Sequence, residues 1–196
     1  MRHAFGALVA IPEGQWEELL RHARSIDVPK GEILLREGEP VHWLAFCERG
    51  LLRNYRLVRD REVNLGFDCE GGYVGAYDAY QRREPSQIAI QALEPSRLAR
   101  FERAGIDALI AGHPCWRELF GRVSELELMR RIESERHART HSPEERYAEL
   151  ERTGSFLVKR VALYHLASFL GVTPETLSRI RARLGTPADD ETRRRS

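Results

Sequence analysis

Glu175, Ser178 and Arg179, with Thr173 and Thr176 just ahead of them, gather a carboxylate, three hydroxyls and a guanidinium in one short segment. These groups suit the reading of DNA. A guanidinium donates in pairs to guanine, a carboxylate accepts from the cytosine amino group, and hydroxyls bond phosphate oxygens. Leu177 and Ile180 fall on the opposite side of the same apparent helix, with Thr173 as its N-cap and Pro174 at its first position. Tyr164, Lys159, Arg160, Arg181 and Arg183 lie near enough in the chain to add phosphate contacts. With Thr173, Pro174, Glu175, Thr176, Ser178 and Arg179 they make up the candidate DNA-binding set.

Such a helix has to be held by a neighbour, and the preceding residues supply one. Leu163, Leu166, Ala167 and Leu170 recur at spacings of three and four, so they share one helical face. Gly171 can end that helix in the left-handed conformation. Small Ala167 would let the two axes approach closely. Two short helices joined this way form a helix-turn-helix able to set its second helix in the major groove. An ordinary αα-hairpin in a helical core is the structural alternative.

The chain of 196 residues is 42% hydrophobic and 31% charged, the balance of a soluble globular protein of one or two domains. No apolar run is long enough for a membrane span, and the N-terminus does not read as a signal peptide. Cys47, Cys69 and Cys115 are odd in number and far apart, which argues against a disulfide framework and for a reducing cytoplasm. The net charge of +1 conceals an asymmetry. From Arg136 onward there are 12 lysines and arginines against 8 acids, and before it 19 against 22. The positive excess thus accompanies the DNA-reading segment, where phosphates would use it.

Ahead of that segment the hydrophobic period changes twice. Trp16, Leu19, Leu20 and Ala23 mark an amphipathic helix over Pro12–Ala23. Short apolar runs then follow at Glu32–Leu35, Trp43–Cys47, Leu51–Val58, Val63–Phe67, Ile88–Leu93 and Arg97–Phe101, punctuated by glycine and proline. Many short strands at this spacing predict a β-sandwich or roll with room for a small ligand. A short helix over Ala104–Ala111 precedes a long one from Pro114 to about Ala138. Trp116, Leu119, Phe120, Val123, Leu126 and Met129 form its stripe and are expected to meet a second subunit. Ser142-Pro143-Glu144-Glu145 is a capping box that opens another helix.

A roll, a long helix and a C-terminal reader in this order resemble the Crp–Fnr family of bacterial transcription regulators. The resemblance rests on Lys30–Leu35, Glu37-Gly38-Glu39-Pro40 and Trp43–Leu52 in the roll, and on Leu166–Ile180 in the reader. It implies an α+β chain with an N-terminal double-stranded β-helix of jelly-roll type as sensor domain over residues 1–112. A dimerisation helix would follow over 113–139, then a winged-helix or helix-turn-helix domain over 140–185 and a disordered tail over 186–196. It also implies a cytoplasmic homodimer on a pseudo-palindromic operator in double-stranded DNA, acting on RNA polymerase. Glu175, Thr176 and Arg179 match the family's recognition pattern, while Pro174 replaces its usual arginine.

Tyr73, Gly75, Ala76, Arg82, Arg83 and Ser86 stand where the family holds a cyclic nucleotide. Members that bind cyclic AMP use a glutamate after the glycine and an arginine before the serine; here those places hold Ala76 and Pro85. A buried phosphate without its guanidinium is costly, so ordinary cyclic AMP binding is not expected and any effector is an unknown small molecule. No cofactor or metal is implied. Two rival classes remain. A cupin-like metal enzyme would need converging histidines, and the roll offers only His42. A regulatory adaptor would use the C-terminal helices to bind protein instead of DNA.

Overall fold

The computed structural model describes residues 1–185; the expected disordered tail, 186–196, lies outside them. Contacts divide the chain into two units. One comprises Met1–Arg56 and Phe67–Arg130, the other Leu57–Gly66 and the residues from Arg131 onward.

The first unit opens with helices α1 (Arg2–Gly6) and α2 (Glu13–His22) and closes with α4 (Arg103–Gly112) and the first half of α5 (Pro114–Thr140). Between them run β1 (Ala23–Val28), β2 (Ile33–Leu35), β3 (Trp43–Arg49), β4 (Leu51–Val58), β5 (Arg61–Cys69), β6 (Tyr73–Val74), the short helix α3 (Tyr77–Arg82), β7 (Ala89–Ala92) and β8 (Ser96–Glu102). The strands form two four-stranded sheets in the orders β1-β8-β3-β6 and β2-β7-β4-β5. This is the roll expected from the short apolar runs.

In β3, Trp43, Ala45, Phe46 and Cys47 are all buried, so the strand is covered on both faces. An aromatic cluster joins the helices to the sheet. Phe5 meets the Phe46 ring edge-on at 5.7 Å and stacks on Tyr73 at 5.7 Å, while Trp16 meets Trp116 edge-on at 6.3 Å. Gly50, in the turn between β3 and β4, sits at φ +119°, and a Cβ there would come within 2.6 Å of the Ser96 Cα. No side chain fits that turn.

Four elements of this unit were not anticipated. β1 pairs antiparallel with β8 from Ala23↔Phe101 to Val28↔Ser96, but its arginine, serine and aspartate hide any alternation. β6, α1 and α3 are each too short to show a period. Arg82 and Arg83 lie at the end of α3, where Arg83 takes the left-handed conformation.

The long helix also needs a correction. Trp116, Leu119 and Val123, assigned to the dimer stripe, are buried in the core of their own unit, and Phe120 packs against it. Leu126, Leu128, Met129 and Ile132 remain 43%, 55%, 55% and 52% exposed. Only this later part of the stripe is available to a partner.

The first unit encloses a cavity of about 120 Å³ beside α5, with Asn54 and Asp68 among its lining. Asn54 Nδ2 donates to the Asp68 carboxylate at 2.9 Å. Burial, opposed by this hydrogen bond, pushes the Asp68 carboxyl up to about 6. A raised carboxyl holds its proton longer in the folded state, so it destabilises the fold above pH ~6 and ceases to do so as the pH falls below that. Asp68→Asn should therefore stabilise the protein at about pH 7.5 by roughly 1–3 kcal/mol and leave it nearly unchanged at about pH 4. Urea midpoints of variant and wild type at the two pH values check this; equal differences at both would contradict it.

The second unit is helical apart from the outer half of the β4–β5 hairpin, Leu57–Gly66, which clusters with it. It contains the end of α5, then α6 (Pro143–Arg152), α7 (Phe156–Arg160), α8 (Leu163–Leu170) and α9 (Pro174–Leu184). The capping box forms as the sequence predicts: Ser142 Oγ accepts from the Glu145 amide and Glu145 Oε2 accepts from the Ser142 amide. Among the described residues from Arg131 onward every element is a helix, so the expected wing strands are not among them.

Candidate nucleic-acid interface

Three helices, α6, α7 and α8, build a platform for α9. Leu166, Ala167, Leu170, Leu177 and Ile180 are buried where α8 meets α9, each large side chain contributing about 1.5–3 kcal/mol of burial. Gly171 ends α8 at φ +75°, and Thr173 Oγ1 accepts from the Thr176 amide at 3.2 Å to start α9. Arg146, from α6, donates to the Phe169 and Leu170 carbonyls at 3.2 and 3.4 Å. A cation at the C-terminus of α8 both satisfies carbonyls left without helical partners and opposes the helix dipole.

The opposite side of α9 is open. Thr173, Glu175, Ser178, Arg179 and Arg183 are exposed, with Pro174 and Thr176 half-buried between them. The Glu175 carboxyl is held below its usual range by its own backbone amide, by the Thr173 hydroxyl and by the charge of Arg179. At neutral pH the face thus presents an ionised acceptor one helical turn from a guanidinium. Tyr164, 60% exposed, and Lys159 lie outside the core, and Arg160 sits beside the Phe156 ring.

One member of the expected set has another task. Arg181 donates from Nε to the Tyr147 hydroxyl at 2.9 Å and from a terminal nitrogen to the Val158 carbonyl at 3.2 Å. Tyr147 is fully buried and donates in turn to Glu151 at 2.9 Å. Arg181 ties α6 and α7 to α9 and is removed from the phosphate contacts. Arg183 keeps an exposed ion pair with Glu144 at 2.7 Å, of a kind worth little against a phosphate.

A polar clasp went unseen in the sequence. Buried Asn64, in the hairpin segment, donates through Nδ2 to the His165 carbonyl at 3.0 Å, and its amide donates to Ser168 Oγ at 3.0 Å. Ser168 Oγ donates to the Glu62 carbonyl at 3.2 Å. The partners are about a hundred residues apart, and no local pattern announces such a contact.

The six residues expected at the effector site lie in different surroundings. Ala76 and Ser86 are buried, the latter bonding Ile88 within its own turn, while Arg82 and Arg83 are exposed. Only Tyr73 and Gly75 line the cavity beside α5. Among the described residues no cluster of three or more His, Cys, Asp or Glu could hold a metal, and no helix is long and apolar enough to cross a membrane.

Residues 25–113 match the family described as the cyclic nucleotide-binding domain. Similar folds among solved structures extend over most of the chain. FixK2 from Bradyrhizobium japonicum has a TM-score of 0.71 at 19% identity, over 83% of this chain and 84% of its own. The c-di-GMP-responsive global regulator CLP of Xanthomonas campestris scores 0.70 at 19% identity, over 89% and 92%. The Thermus thermophilus catabolite activator protein scores 0.54 at 20% identity, over 93% and 86%. No curated protein sequence matches the chain. Residues 25–113 thus match a cyclic nucleotide-binding domain, a helical part follows it, and the likeness to these solved structures is one of fold.

Proposed function

We propose that this protein is a sequence-specific DNA-binding transcription regulator of the Crp–Fnr type, working as a homodimer on a pseudo-palindromic operator and acting on RNA polymerase. The observation that carries the reading is the open face of α9. Glu175, Ser178 and Arg179 point away from a core closed by Leu177 and Ile180, beside a helix-turn-helix corner made by Gly171 and Thr173. Glu175 would accept from a cytosine amino group, Arg179 would donate to guanine, and Thr173 and Thr176 would meet phosphate oxygens near the helix N-terminus. Lys159, Arg160 and Arg183 complete the phosphate contacts. The exposed residues of α5 join two subunits, placing half-sites about 34–36 Å apart.

Gel-shift titration with genomic fragments tests the reading. Affinity should fall roughly a thousandfold between about 50 and 200 mM salt if some six phosphates are contacted by the dimer. Arg179→Ala should cost about 1–3 kcal/mol and relax preference at one operator position in each half-site. Arg181→Ala should instead lower the melting temperature of the second unit, because it releases Tyr147. An Arg179 variant with unchanged affinity and preference would remove α9 as the reader.

Cyclic AMP is not the effector in this reading. Ala76 offers no carboxylate to a ribose, Pro85 no guanidinium to a phosphate, and Arg82 and Arg83 are turned to solvent.

A further inference from the structure

The cavity beside α5 has a character that neither the roll nor the reader requires. Its walls are Leu44, Phe46, Phe101, Leu119 and Val123, and its polar groups include Asn54, Asp68 and Glu127. Among the described residues no lysine, arginine or histidine lines it. Asn54 spends its amide N–H on Asp68, which leaves the Asn54 Oδ1 atom buried without a hydrogen-bond partner. A buried acceptor with nothing to accept is costly, and groups of this kind are ordinarily satisfied by protein, water or a ligand. Glu127 pairs with Arg130 at 3.0 Å on the solvent side of α5, and its charge is felt at Asp68. The hydroxyl of Tyr77, also in the lining, is occupied by Ser124 and Gln81.

We propose that this cavity binds a small primary amine whose apolar part is about the size of one six-membered ring. An ammonium group has three donors and no acceptor. Here it would meet the carboxylates of Asp68 and Glu127, the two acids of the lining. The volume of about 120 Å³ is close to that of cavities of roughly 150 Å³ known to take benzene. An anion is excluded by the same inventory, since it would enter an apolar space whose only charged lining groups are acids. Burial holds the Asp68 carboxyl at about 6, opposed by the Asn54 hydrogen bond on β4 and the charge of Arg130 on α5 and reinforced by the charge of Glu127 on α5. The Tyr73 phenol, pushed up to about 12 by burial and by Glu127, stays neutral throughout. The amine site is therefore ionised and ready above pH ~6 and weakens as the pH falls through that value. α5 forms one wall, so occupancy is felt by the helix that bears Leu126 and Met129. That regulatory consequence rests on the proposed function; the binding itself does not.

Calorimetric titration of the full chain at about pH 8 with benzylamine, benzyl alcohol, benzoate and cyclic AMP tests the site. Benzylamine should bind saturably, one per chain, with benzyl alcohol weaker and neither anion detectable. Asp68→Asn should weaken benzylamine roughly 10- to 100-fold, the range for a charge-assisted hydrogen bond, and leave benzyl alcohol unchanged. Glu127→Gln, at a half-exposed position that does not endanger folding, should weaken benzylamine in the same direction. Absence of saturable benzylamine binding up to about 10 mM, equal binding of benzoate, or indifference to both substitutions would overturn the proposal. Binding is read without DNA, so its failure leaves the α9 reader standing, and a failed gel shift leaves the amine site standing.

Discussion

Replacing Leu126 and Met129 together with glutamate should yield a monomer that has lost most of its hold on the operator. Both side chains are already exposed, so in the isolated chain the change costs little, within about 0.5 kcal/mol for surface positions. In a dimer seam the same glutamates would be desolvated against apolar neighbours without partners, at a cost that would split the dimer. Sedimentation should show half the wild-type mass with unchanged helix content. Two linked half-site contacts give an avidity of about 10²–10⁴ over one, and that factor should disappear from the gel-shift titration. A variant that still sediments as a dimer would place the seam on another surface.

Much of this architecture was legible in the sequence, and the failures have physical causes. The reader was clear because its signals are local: the face of α8, the left-handed Gly171 and the Thr173-Pro174 start all lie within about twenty residues. β4 was legible to the residue, since its hairpin partner follows after a two-residue polar turn in which Arg59 and Asp60 take positive φ. The stripe of α5 was misread as one face. Its apolar residues from Val123 onward recur every three positions, and three residues advance only about 300° around a helix. Each step slips back by about 60°, so Ile132 lies on the side opposite Val123. One half of the stripe can therefore close its own core while the other half faces out. Arg181 was misassigned because a basic residue beside a recognition helix looks alike whether it meets a phosphate or a buried tyrosine. The acceptors of Asn54 and Asp68 were invisible, since only packing leaves one of them unpaired.

Trp116 separates the two halves of α5 most sharply. Its side chain is fully buried, its indole Nε1 donates to Gln15 Oε1 at 3.0 Å, and its ring meets Trp16 edge-on. Trp116→Ala should cost about 3–5 kcal/mol, the loss for an aromatic cut from a close-packed core. At roughly 2–4 °C per kcal/mol for a chain of this length, the melting temperature of the first unit should fall by about 10 °C. Trp116→Phe, which refills most of the volume but leaves the Gln15 carbonyl without its donor, should recover the greater part. Association should stay as in the wild type, because nothing on the exposed face of α5 has changed. A residue of the subunit seam would behave in the opposite way, with dissociation on truncation and little change in the fold of the separated chain. The contrast between Trp116→Ala and the Leu126/Met129 pair would thus assign each half of one continuous helix to its own surface: the first to the core of its chain, the second to the proposed subunit seam.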